Sequence, residues 1–269
     1  MFSRKPATRK RIVNHQSQTI MTNNIINYLL HLADTNLVFS HRNSEWCGHG
    51  PILEQDIAIT NISLDLLGQA RNFYQYAAEL INQSTNQTAT EDSLAGMRSE
   101  REYKNLLLAE QPNGDWAQTV LRQYFFSQFQ YLLYQRLQTS SDEQLAAITA
   151  KALKETAYHL KWSSEWVIRL GDGTEESNTR MLNAIDALWA YTGEMFVAAD
   201  YETEFVNDLP AIKEEWLQKI TETFNEAQLP VPQNVFMHSG GKTGVHTEYL
   251  GFILAESQYM QRAYPGCEW

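Results

Sequence analysis

ILEQDIAITNISLDLLGQARNFYQYAAELI, residues 52–81, is apolar-rich, runs with helical period and contains no proline. Ile59, Ile62, Leu66, Ala70, Phe73, Ala77 and Leu80 recur three and four apart and share one face of a helix. Asn61, Asp65, Asn72, Gln75 and Glu79 share the opposite side. A second apolar row, Ile57, Leu64, Leu67 and Tyr74, widens the sector expected to be buried. One helix with that much apolar surface needs neighbours on more than one side, so the stretch predicts the central helix of a bundle.

Those neighbours are legible on both sides. A first helix is predicted from Asn24 to about His41, and Pro51 is placed to start the central one. The polar residues 82–93 predict a mobile loop, and residues 97–111 a short helix ended by the turn at Pro112 to Gly114. Asp115 is a good cap for a third long helix, residues 116–137, whose aromatics Trp116, Tyr124, Phe125, Phe126, Phe129, Tyr131 and Tyr134 read as core filling rather than a ligand cage. Ser141 opens a fourth helix that Gly171 closes. Further helices are predicted over residues 178–199, 211–227 and 247–262. The outcome is an all-α fold, a four-helix bundle with additional C-terminal helices, in a single domain over residues 21–269.

Seven prolines and thirteen glycines are too few for the turns of a β-rich chain of 269 residues. No apolar run is long enough to cross a membrane and the N-terminus has no secretory pattern, which predicts a cytoplasmic protein without a membrane partner. Cys47 and Cys267 are expected to be free thiols. Residues 1–20 hold Arg4, Lys5, Arg9, Lys10 and Arg11 with no acid and read as a disordered basic leader. Taking those five from the 21 Lys and Arg leaves 16 against 32 acids, a net -16 that would repel nucleic acid.

A helical bundle often holds two irons with a Glu from each of two helices and a Glu-x-x-His pair from each of the other two. None of the seven histidines has Glu or Asp three residues earlier. Glu45 with His49 and Glu155 with His159 are spaced by four, a pattern equally suited to a polar contact on one helix face. GGKT at residues 240–243 ends like a phosphate-binding loop, but that loop needs glycine where Phe236 stands, and a preceding strand. No nucleophile elbow or dinucleotide fingerprint is present.

Five blocks carry a family resemblance: EWCGHGPILE (45–54), LDLLGQARNF (64–73), LLLAEQPNGDWA (106–117), KETAYHL (154–160) and GGKTGVHTEYLG (240–251). In this order they resemble the C-subunit family of bacterial ring 1,2-phenylacetyl-CoA epoxidases, and the match covers the chain after Met21. The resemblance implies a ferritin-like fold and a subunit of an NADPH- and O2-dependent monooxygenase of aerobic phenylacetate breakdown. It implies that a homologous catalytic A subunit holds the di-iron site, that the C-type chain binds it without a cofactor of its own, and that a separate reductase supplies electrons. The catalytic sister's metal helices read approximately DEAGHG and KEESFH. Laid on them, this chain has Leu66 and Gln69 in place of the first Glu and His, and Thr156 in place of the second Glu, keeping only His159; Asn36 and Ser127 fall at the two single-carboxylate positions. Those six are vestigial ligand positions, and such a set cannot neutralise two irons. A stand-alone di-iron oxidoreductase and an unrelated helical protein-binding scaffold are the alternatives.

Two surface sites complete the reading. Arg98, Arg101 and Lys104 lie three apart beside Tyr103 and Asn105, so Arg101, Glu102, Tyr103, Lys104 and Asn105 are candidates for contact with the acyl-CoA, or are local charge balance. Lys242, His246 and Glu248 would project from a helix start, as a partner contact or as solvated charges at a cap.

Overall fold

A computed structural model describes the backbone of residues 7–267 and the side chains of residues 22–267. The expected leader, residues 1–20, lies outside the described side chains, and residues 1–6 outside the described backbone as well. Among the described residues ten α-helices follow in order: α1 (Ala7–Ser44), α2 (Leu53–Ser84), α3 (Glu91–Gly96), α4 (Leu107–Glu110), α5 (Trp116–Leu137), α6 (Glu143–Gly171), α7 (Glu175–Leu188), α8 (Leu209–Glu226), α9 (Glu248–Ser257) and α10 (Tyr259–Ala263). The same residues contain no strand, and no helix long and apolar enough to cross a membrane.

The four long helices form two hairpins, α1 with α2 and α5 with α6, which pack face to face. Ser40 and Ser63 each donate a hydroxyl to the other's carbonyl at 2.8 Å, locking α1 to α2. Phe39 of α1 stacks on Phe126 of α5 with ring centroids 4.0 Å apart, joining the hairpins. The apolar row from Ile59 to Ala77 is buried as predicted. The aromatics of α5 fill core: Phe125 meets Trp189, Trp216 and Phe224, which brings α7 and α8 onto the outside of the second hairpin. Asp115 and Asp142 cap α5 and α6 by accepting from Gln118 and Leu145 N–H, so α6 is opened by Asp142 rather than Ser141.

Several boundaries differ from the sequence reading, each for a local reason. α1 is already helical from Ala7, ahead of Asn24. Residues 82–93 hold a shorter connection, because α2 runs to Ser84 and Thr90 with Ser93 forms a capping box for α3. Residues 97–111 are not one helix: a single 3-10 turn, Glu100–Glu102, is followed by extended chain and then α4. The backbone donors that would have continued it go elsewhere, Lys104 N–H to Asp34 (2.8 Å), Leu106 N–H to Thr35 (3.2 Å) and Leu107 N–H to Glu194 (2.8 Å). The helix expected over 178–199 stops at Leu188 and continues as two 3-10 turns, Trp189–Tyr191 and Gly193–Phe196. The last helix breaks at Gln258, whose amide donates to the Ala95 and Arg98 carbonyls. Ile57, Leu64 and Leu67, expected inside, are 52%, 59% and 44% exposed on the outer side of α2.

Candidate functional site

At the centre of the bundle a chain of uncharged polar groups crosses all four long helices. Gln130 of α5 donates its amide to Asn36 of α1 (2.7 Å) and stands 3.1 Å from the Gln69 carbonyl oxygen of α2, and Thr156 of α6 donates to the Gln130 oxygen at 3.3 Å. Tyr134, one turn along α5, accepts from Asn36 (3.1 Å) and Gln130 (3.0 Å). All five side chains are buried. Burial, against the two hydrogen bonds it accepts, drives the Tyr134 phenol well above its ordinary range, so it stays neutral. The cavity beside them measures about 10 Å³. That is room for one water at most.

The positions that the resemblance lays on the sister's ligands fall around this network, except Ser127. Leu66 is wholly buried one turn before Gln69. His159 is buried on α6, its Nε2 3.0 Å from Asp65 of α2 and its Nδ1 without a partner. Gln69 also donates to Glu155 at 2.9 Å, so Glu155 reaches across to α2 rather than back to His159. Ser127 is not part of the network: it accepts from Gln123 at 2.8 Å, which in turn accepts from Asn43 at 2.8 Å. Gln130, three residues further along α5, is the side chain that enters the network instead. Sequence reasoning singles out neither Gln130 nor Tyr134 as a site residue, since each reads there as one more position on a helix face. Glu45 and His49 are not joined either, because Glu45 pairs with Arg42 and His49 turns to the Cys47 carbonyl. Among the described residues no three His, Cys, Asp or Glu side chains converge. Carboxamides, a phenol, a threonine and one imidazole, with Glu155 and Asp65 each reaching the edge of the network as single, separate carboxylates, fall short of the several convergent carboxylates that two iron ions need, so the residues present do not fit a di-iron centre.

The surface candidates are placed differently again. Tyr103 and Asn105 are buried: Tyr103 lies under the Arg98 guanidinium and Asn105 donates to Glu110 at 2.8 Å. Arg98 pairs with buried Asp34, and Lys104 lies half-buried with its amine 5.3 Å from the Tyr201 ring. Glu102 is exposed but turns back to accept from the Ser99 N–H. Arg101 stands exposed.

Lys242 and His246 do not project. Lys242 is 4% exposed and donates to Glu202 at 2.9 Å and to the Val197 carbonyl at 2.9 Å. His246 stands 2.5 Å from Glu110 through Nδ1 and 2.9 Å from the Tyr103 carbonyl through Nε2. Both partners only accept, so both ring nitrogens carry hydrogen. Burial works against that charge, but the hydrogen bond and charge of Glu110 outweigh it and leave the His246 pKa raised. The glycine loop serves close approach: a Cβ on Gly241 would collide with the Asn105 carbonyl, and Gly244 has φ +83° with the Arg101 carbonyl beneath it. Of the three candidates, Glu248 is the exposed one. Both cysteines are free, as expected, and both are exposed.

A helical fold whose four long helices are crossed at the centre by a hydrogen-bonded polar chain defines the class. The model of the family described as phenylacetic acid catabolic protein matches residues 12–269, and the chain belongs to that ferritin-like family. It is 48% identical over 252 residues to the C subunit of the 1,2-phenylacetyl-CoA epoxidase of Escherichia coli (strain K12), a match covering 92% of this chain and 100% of that protein.

Proposed function

We propose that this chain is the non-catalytic structural subunit of a cytoplasmic ring 1,2-phenylacetyl-CoA epoxidase, binding and stabilising a homologous catalytic subunit that holds the di-iron centre and receives electrons through a reductase. The observation that carries this reading is the Asn36, Gln69, Gln130, Tyr134 and Thr156 crossing, which fills the centre of the bundle with neutral, mutually bonded groups. Buried polar groups so satisfied hold the helices in one register, but supply neither a metal-binding charge nor a group that transfers a proton to substrate. The likeness to a protein named as an epoxidase subunit supports the partnership. A stand-alone di-iron oxidoreductase has no comparable support in the donor set of the described residues.

The test is co-expression with the catalytic subunit. Epoxidation of phenylacetyl-CoA, with the reductase and NADPH supplied, is expected only when both chains are present, and none from this chain alone. Full activity of the catalytic subunit without this chain, or activity of this chain by itself, would refute the reading.

A further inference from the structure

The outer side of α2 carries a row that the fold leaves uncovered. Leu53, Ile57 and Leu64 are 72%, 52% and 59% exposed, and Gly68 continues the row. Spacings of four, seven and four residues put all of them on one side of the helix, a straight crest about 22 Å long. A loop or a single pocket-seeking side chain would not call for a crest of that length, whereas a packed helix would.

Gly68 is the second observation. Glycine inside a helix is destabilising relative to alanine, so it needs a reason. Nothing among the described residues provides one, because a Cβ built there meets no atom within 4 Å. A glycine on an exposed apolar crest is explained when another helix crosses there with its backbone drawn close.

The flanks state the partner's charge. Glu54 and Asp65 border the crest on one side and Asp56 on the other, Asp65 being partly exposed while it meets His159, with no charged side chain on the crest between Leu53 and Gly68; Arg71, which continues the line beyond Gly68, is paired with Glu91, so the acids prevail. An apolar centre with a charged rim is the anatomy of a protein interface. A second copy of this chain would bring the same three carboxylates to the contact, while a face rimmed by Lys and Arg would be attracted.

We infer that the α2 crest from Leu53 to Gly68 is the docking surface for a basic-rimmed helix of the catalytic subunit, crossing closely at Gly68. The inference rests on the subunit role proposed above.

The experiment measures the Kd between this purified chain and the catalytic subunit, with the melting temperature and mass of the isolated chain followed for every variant. Ile57→Glu with Leu64→Glu is expected to weaken binding by about a hundredfold or more, as loss of a central apolar contact does. Gly68→Leu is expected to weaken it about tenfold while leaving the melting temperature of the isolated chain unchanged or higher. Phe252→Glu, on α9 and 68% exposed, is the control and should bind as wild type. Raising the salt should slow association of the wild-type pair. Variants that bind as tightly as wild type would overturn this inference and leave the subunit role intact. A wild-type chain that does not bind would overturn the subunit role itself. A homodimer of the isolated chain, dissolved by the same variants while binding to the catalytic subunit is unaltered, would overturn the inference by assigning the crest to a second copy.

Discussion

The Gln130 amide lies 2.7 Å from the Asn36 oxygen, joining α5 to α1 through the middle of the protein. Gln130 is also the one member of the central network that faces Asn36, Gln69, Tyr134 and Thr156 together. Replacing it by leucine keeps the volume but leaves the oxygens of Asn36 and Gln69 facing an apolar group. Gln130→Leu is therefore expected to cost about 1–3 kcal/mol, the penalty of stranding buried polar atoms. Urea unfolding checks this; an unchanged midpoint would mean that the network contributes nothing to stability.

Leu66→Glu asks whether the position that the resemblance lays on the sister's glutamate accepts a carboxylate. The side chain is wholly buried in the apolar core. The variant is expected to lose about 3 kcal/mol or more and to gain no metal. Burial raises the pKa of such a carboxyl, so the loss is present above that raised value. It is relieved as the pH falls through it towards the unfolded value of about 4.3. A stable variant at neutral pH loaded with iron would contradict the account.

His246 should make stability depend on pH in the opposite sense. Its folded pKa is raised by Glu110, so the stabilisation is full below the unfolded value of about 6.5 and is lost as the pH rises through the folded one. The gap in unfolding free energy between wild type and His246→Gln is expected to be widest in mildly acidic buffer and to narrow towards alkaline pH. Burial lowers the pKa of His31, so its contribution is lost as the pH falls. Because His31 is present in both proteins, the gap isolates His246. A gap that widened with rising pH would contradict the charged pair.

How much of the fold and site is legible in the sequence follows from which forces are local. The buried face of α2 can be read because a period of 3.6 residues shows in the order of Ile59, Ile62, Leu66 and Ala70. Its exposed row Ile57, Leu64 and Leu67 has the same period, and periodicity cannot say which apolar row a neighbour covers. Residues 97–111 look helical since Asp34, Thr35 and Glu194, which take their backbone donors, are far away in sequence. Lys242 looks like surface charge for the same reason, its carboxylate partner Glu202 lying forty residues earlier. Ser127 and Gln130 differ by less than one helical turn, a distinction that only the packing of α5 against α1 resolves.

Arg101 is what remains of the candidate acyl-CoA contact. It is exposed, whereas Tyr103 and Asn105 are committed to the interior. In the assembled enzyme Arg101→Ala is expected to raise the KM for phenylacetyl-CoA by about two- to fivefold, the range of an exposed ion pair, with kcat unchanged. Steady-state kinetics of the correctly assembled complex decide it. An unaltered KM would leave Arg101 as ordinary surface charge.

Iron analysis of the chain purified alone from iron-replete cells tests the central claim most directly. A bundle whose centre is closed by Asn36, Gln69, Gln130, Tyr134 and Thr156 is expected to carry only trace iron, and to yield iron in proportion to the catalytic subunit when the two are purified together. About two iron ions per chain in the isolated protein, as a working di-iron bundle holds, would contradict it.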